Sequence, residues 1–401
     1  MEADLTAGPT RDRTAVSPSG RAEDLKSLTS LRFIAAAMIV LMHCSLYYTW
    51  PWLKSPLLAQ VPLVHGVSFF FILSGFILTH VYGQSDVPYR RFLWLRFSRL
   101  WPVHAVCLIV LPIVVPAGSV TFDGPGMFSK WVTLAANVTL IHALFPYLSY
   151  IFSWNSVSWS ISTEMFFYLA FPFLLGGLTR FWLYYLTGSA VAIAGFVGLA
   201  HWFHLAALSQ DVNAITIMSL DYANPVFRLF EFCLGMASYL AWRNRPRWLD
   251  NPAIATVAEC TILGILAVWF LGGFRAFQGL VKGDGTVDGW VEIAGSCWAF
   301  ALLIVVMAKG RGVIGRVLRL RLPVWLGEIS FAVYMVHQIL MKAFSVAPAW
   351  HAEWVVLPAV VLAAAIAHHG VETPCRLALV RLPRWLAQRY GQAVGVPPQA
   401  G

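Results

Sequence analysis

Apolar residues fall along this chain in long runs, set apart by short segments that carry Arg, Lys, Gly and Pro. Runs of spanning length lie at about 29–49, 62–82, 100–116, 158–176, 181–203, 223–241, 254–272, 290–308, 324–345 and 353–371. A helix rises ~1.5 Å per residue and a hydrocarbon core is roughly 30 Å thick, so each run can cross a bilayer. The pattern predicts an all-α, polytopic integral membrane protein of about ten transmembrane helices. A further run, 131–147, is short and interrupted by polar groups and Pro146, and it reads as re-entrant or interfacial.

The basic residues set the direction of each span. With the N-terminus in the cytoplasm, ten spans put 22 of the 28 Lys and Arg residues inside and five outside, with Arg228 within a span. Retention of basic loops on the cytoplasmic side requires such an asymmetry, and an eleventh span would invert every later loop. Both termini are therefore expected in the cytoplasm. Residues 1–27 read as a disordered tail before an uncleaved anchor, 28–376 as the transmembrane domain and 377–401 as a basic amphipathic tail on the inner membrane surface.

Composition excludes other classes. With 59% hydrophobic and 12% charged residues the chain is no ordinary soluble domain. The net charge of +9 follows from loop placement and gives no reason to expect nucleic acid as a partner. The six cysteines stand singly in apolar segments, with no Cys/His cluster, so they read as small core residues and no metal is expected.

Candidate chemistry lies where the apolar pattern is broken. An ionisable group inside a span is costly and faces the bundle interior or water. Arg32 and His43 stand eleven positions apart in the first span, which at ~100° per residue puts them on nearly one side of the helix, about 16 Å apart. Arg32 reads either as a site residue or as a snorkelling anchor, and His43 either as a base or as a packing hydrogen bond. In the ninth span Ser330, Tyr334 and His337 share a face. In the fourth, Glu164 has Ser160 and Tyr168 one turn to either side, and in the sixth Arg228 is followed one turn on by Glu231. With each helix in its inferred direction, His43, His337, Glu164 and Arg228 come to about one depth in the outer half, where an imidazole and a carboxylate can act as a general acid/base pair. Pairing with Glu231 alone is the structural alternative for Arg228.

At the inner surface, YRRFLWLRFSRLWP supplies Arg90, Arg91, Arg96 and Arg99. Arg96 and Arg99 are one turn apart, so their planar forks can grip phosphate together, and a topology-setting basic loop is the equal alternative. GxSxG, HExxH and P-loop signatures are missing, as is any histidine followed four or five positions later by Asp.

Seven motifs in order resemble a known family: Arg32 and His43 as R-x10-H, FFFILSGFIL at 69–78 with Ser74, RFSR at 96–99, WSISTEMFFYLAFP at 159–172 with Trp159, Ser162, Glu164 and Tyr168, RLFEFCLG at 228–235, LGEISFAVYMVH at 326–337 and VETP at 371–374. The chain is identified by these as a member of the membrane-bound acyltransferase family 3, whose members acylate bacterial surface sugars and some secreted metabolites. The resemblance implies a bundle in the bacterial inner membrane that moves an acyl group, most often acetyl, from cytoplasmic acyl-CoA to a hydroxyl at the outer side, with no permanently bound cofactor. It implies His43 as base or transient acyl carrier, Glu164 as an essential acidic residue, Arg32, Arg96 and Arg99 as donor-binding residues, and Arg228, His337 and Glu372 as motif positions of less defined role. An exopolysaccharide unit is the first expectation for the acceptor, with lipopolysaccharide or a macrolide sugar behind it. A proton-coupled transporter or flippase is the rival class, and the lack of internal repeats counts against it.

Overall fold

The computed structural model describes residues 25–85, 87–115, 129–281, 285–345 and 352–382, and all the regular secondary structure among them is helical. The α-helices of five residues or more are α1 (Lys26–Tyr47), α2 (Gly66–Tyr82), α3 (Tyr89–Val114), α4 (Lys130–Val138), α5 (Trp159–Trp202), α6 (Ile217–Asp221), α7 (Pro225–Arg243), α8 (Pro252–Val268), α9 (Phe274–Val281), α10 (Gly285–Ala294), α11 (Cys297–Met307), α12 (Val313–Leu318), α13 (Arg321–Ser345) and α14 (Glu353–Ala367). Their starts follow local chemistry. Asn224 and Asn251 each accept a hydrogen bond from the first turn and are each followed by proline, whose fixed φ suits the first helical position. Thr216 and Ser219 close a reciprocal capping box on α6.

Eight helical runs among the described residues are long and apolar enough to cross a membrane, so the chain is an all-α polytopic membrane protein. The run 159–202 is continuous yet cannot be straight. Phe167 stacks on Phe232 at 4.8 Å and Phe196 packs on Phe227 at 4.9 Å. Those two partners lie five residues apart on α7, whereas 29 residues of straight helix span about 43 Å. The run therefore doubles back between Phe171 and Phe196, a stretch that contains Gly176, Gly177 and Arg180. Helix α7, with Arg228, Glu231 and Arg243, is too polar for the set of eight but packs inside the bundle.

The segment 131–147 makes no span among the described residues. It forms the nine-residue α4, breaks at Leu140 with φ 58°, and continues as a short 3-10 turn at His142–Leu144. With residues 148–158 it covers the start of α5. The expected tails lie outside the described residues except for 25–27 and the helical 377–382. Of the cysteines, Cys44, Cys107, Cys233 and Cys297 are buried, Cys260 and Cys375 exposed, and none is paired with another. Large exposed side chains such as Phe173 on α5 and Trp354 on α14 form the lipid-facing rim expected of a membrane bundle.

Two close approaches hold the centre together. A Cβ on Gly235 would overlap the carbonyl oxygen of Ile72, and one on Gly75 would overlap that of Phe232, so α2 and α7 meet backbone to backbone. Gly327 of α13 meets the carbonyl of Thr29 on α1 in the same way. Small residues at such crossings substitute van der Waals contact for the hydrophobic drive that lipid removes. Gly235→Val should therefore fail to give monodisperse detergent-solubilised protein. Gly264→Ala, on an exposed helix face with nothing within 4 Å of the new methyl group, should keep the unfolding midpoint or raise it by the equivalent of up to about 1 kcal/mol. Size-exclusion and thermal unfolding of the two purified variants check both outcomes.

Candidate active site

Helix α1 presents a different chemistry at each end. Leu25, Leu28, Thr29 and Arg32 line one cavity, and Met42, His43, Leu46 and Tyr47 line another. The Gly327 contact brings α13 along α1, and this sets His337 against His43, with ring centroids 5.0 Å apart.

The hydrogen bonds of this pair fix its protons. His337 Nδ1 lies 2.7 Å from the carbonyl of Tyr334, and His43 Nδ1 lies 3.0 Å from that of Ile39. A carbonyl only accepts, so each Nδ1 carries a hydrogen. His337 Nε2 is then a bare acceptor, 3.2 Å from His43 Nδ1. His43 is left with its own Nε2 unprotonated, in a residue that lines a cavity of about 1100 Å³. That tautomer is a base. On taking a proton, the imidazolium would keep its Nδ1–H shared between a carbonyl and His337, the orienting arrangement a base requires.

The second cavity, about 330 Å³, is lined by Arg32, Arg96 and Arg99 together with Ser74, Glu164 and Tyr168. Arg96 donates through Nη2 to the Tyr82 hydroxyl at 3.0 Å and lies over the Tyr82 and Tyr168 rings, while its buried Nε has no hydrogen-bond partner among the described residues. Glu164 accepts from the Tyr168 hydroxyl at 2.5 Å and from Ser74 at 3.0 Å. Arg99, Glu372 and Glu164 are the charged groups close enough to act on Arg32. Three guanidinium groups against few carboxylates make this an anion site with the fork geometry that phosphate favours.

The structure thus departs from the expected pairing. Glu164 sits among the arginines and among the described residues has no hydrogen bond to His43, whose partner is His337. Nor does Arg228 join the centre: it is fully buried, bonded to Glu231 at 2.7 Å and to Ser68 at 3.3 Å, and lies over Phe71 and Trp159. That is the structural pairing. The reason lies at the N-terminal ends of α5 and α7, which begin below the protein surface: Ser158, Trp159 and Ala223 are all buried, so depths counted from those ends come out too shallow.

The other motif residues hold the frame. Ser162 donates to the carbonyl of Leu140 and accepts from the Ala143 N–H, pinning the 139–144 turn to α5. Trp159 packs against Tyr222 in the wall of the His43 cavity, the ring centroids 4.9 Å apart and the planes tilted by 53°. Ser330 donates within its own helix, to the carbonyl of Gly327. Glu372 pairs with His368 at 2.9 Å on a π-turn that continues α14. Tyr334 lines the arginine cavity while its hydroxyl donates to the carbonyl of Val157, which lines the other, so one layer of side chains, with Phe70 beside Tyr334, divides the two. Asp221, Asp288, Gln338 and Lys342 also line the His43 cavity and were not singled out from the sequence. Gln338 and Lys342 follow His337 by one and five positions, which was the one available signal.

Fold and site together define a multi-pass membrane protein with an oriented imidazole at one end of a helix and an anion cavity at the other. The profile of an acyltransferase domain matches residues 25–368. The chain belongs to that family, acyltransferase family 3, and is an acyltransferase. It is 26% identical over 387 residues to the acyltransferase MdmB of Streptomyces mycarofaciens, a match that covers 89% of this chain and 93% of MdmB. It is 24% identical to nodulation protein 10 of Rhizobium leguminosarum bv. viciae, over 81% of this chain and 84% of that protein. It is 26% identical to the candidate peptidoglycan O-acetyltransferase YrhL of Bacillus subtilis, over 78% of this chain and 50% of YrhL. No solved structure matches it.

If His337 acts only through His43, its loss should affect turnover and not binding. His337→Phe should lower kcat by about 10²-fold with KM for both substrates within threefold of wild type, and His337→Gln, which can still accept from His43 Nδ1–H, should recover part of the rate. Steady-state kinetics in membranes with matched protein levels give the answer.

Proposed function

We propose that the protein is an acyl-CoA-dependent O-acyltransferase of the bacterial inner membrane that acetylates a sugar hydroxyl of an exopolysaccharide unit or other cell-surface glycan. One observation carries this reading: an anion cavity and an oriented base stand at the two ends of α1, divided by a single layer of side chains. A phosphate-rich nucleotide cannot enter hydrocarbon, yet its thioester must reach an acceptor near the opposite surface. Arg32, Arg96 and Arg99 hold the nucleotide phosphates, and the slender pantetheine arm passes between Phe70 and Tyr334 toward His43.

His43 Nε2 takes the proton of the acceptor hydroxyl as its oxygen attacks the thioester carbonyl. The carbon–oxygen bond forms, the carbon–sulfur bond breaks, and the imidazolium returns its proton to the departing thiolate. Glu164 acts on the donor side, where it balances the arginine charges and holds Tyr168 against Arg96. The basic loops support a cytoplasmic arginine cavity, on the side where acyl-CoA is made, and a His43 cavity at the outer side.

The test follows radiolabelled acetyl from acetyl-CoA to glycolipid extracted from the host membrane. Arg96→Ala and Arg99→Ala should each raise the KM for acetyl-CoA at least tenfold and leave kcat within about threefold, with Lys at either position restoring the loss only in part, since a point charge cannot replace a bidentate fork. Wild-type donor kinetics in both alanine variants would remove acyl-CoA from this cavity.

A further inference from the structure

The His43 cavity contains a carboxylate that the chemistry above does not use. Asp221, the last residue of α6, is only 4% exposed, and neither carboxylate oxygen has a hydrogen-bond partner among the described residues. The backbone N–H groups of Asp221 itself and of Tyr222 lie near it without meeting hydrogen-bond geometry. Oδ2 rests against Gly289 of α10, in the place a Cβ would take. A buried carboxyl with two unmet acceptors is destabilising unless something else satisfies it. Burial pushes this one up to about 7, with the Arg228 charge opposing and that of Glu292 adding.

The surroundings point to the class of ligand. Trp159 and Tyr222 set two aromatic rings in the same wall, their centroids 4.9 Å apart and their planes tilted by 53°. Of the charged side chains lining the cavity, Asp221, Asp288 and Glu292 are acidic and Lys342 is basic. Leu46, Leu53, Leu58 and Val64 supply an apolar side. Aromatic faces with a few convergent polar acceptors suit a ring that carries hydroxyl donors, and the acidic wall opposes an anion.

We infer that Asp221 anchors the acceptor, its two oxygens taking adjacent hydroxyls of a non-acidic sugar whose apolar carrier lies along the leucine side of the cavity. This rests on the transferase reading for its place in the reaction, but glycoside binding can be measured without any acyl transfer.

The experiment uses the full chain in nanodiscs, free of sugar-headed detergent. The probes are octyl β-glucoside and octyl β-glucuronide, neutral and anionic sugars on one carrier, with affinity read by calorimetry. The wild type should bind the glucoside at least tenfold more tightly than the glucuronide, and Asp221→Ala should lose at least tenfold of the glucoside affinity while acetyl-CoA affinity stays within twofold. Unfolding midpoints of Asp221→Ala and Asp221→Asn should equal or exceed that of the wild type, because the unmet carboxyl contributes no stability of its own. If the alanine variant does not fold, Asp221→Asn, of the same shape without the charge, should still narrow the preference for glucoside over glucuronide. Equal glucoside affinity in the wild type and Asp221→Ala, or an unchanged preference in Asp221→Asn, overturns the inference. So does a wild type that prefers the glucuronide. If the glycosides bind as expected but acetyl is never transferred, the reaction assigned above fails and the sugar site stands.

Discussion

The approach of α13 to α1 is the contact on which the site depends. Gly327 lets the two backbones meet at Thr29, and the meeting sets the register in which His337 arrives at His43 ten residues further along α13. Inside a bilayer neither imidazole could stand alone at low cost, since a polar group there must find its partners within the protein. The structure meets that demand with two backbone carbonyls and one shared proton. The same arrangement that makes the histidines tolerable in the membrane leaves one ring nitrogen bare, so the basic tautomer comes as a by-product of satisfying the buried polar groups.

Separation along α1 then divides the labour. Eleven residues of helix carry Arg32 and His43 to different cavities, about 16 Å apart, and in the proposed reaction the layer of Tyr334 and Phe70 between them would let a charged nucleotide stay at one level while an acyl group reaches another. Charges that belong to neither task are neutralised in place. Arg228 with Glu231 is held within the bundle as structure, and the loss of either partner would leave an unpaired buried charge costing roughly 3–5 kcal/mol.

Much of this was legible in the sequence, and the misses have a common cause. Apolar runs gave the helices, the broken run 131–147 gave a segment that does not span, and His43 and His337 came out at like depths, although the partner expected for His43 was Glu164. Hydropathy gives position along a helix from its assumed ends but says nothing of azimuth or of what covers those ends. Glu164 was therefore placed beside His43 when the segment 129–158 buries the start of α5 and sends that carboxylate toward the arginines. Asp221 escaped because a single acidic residue in a connecting segment has the pattern of an ordinary solvated loop. Only the packing of α10 against it reveals an enclosed carboxyl.

The central claim is that binding the donor and performing the transfer are done by different ends of α1. Removing the imidazole should separate them: in membranes with matched protein levels, His43→Ala should bind radiolabelled acetyl-CoA within about threefold of the wild-type affinity while single-turnover acetyl transfer falls by 10²- to 10⁴-fold, the range a general base supplies. Transfer at a near-normal rate by His43→Ala would contradict the account.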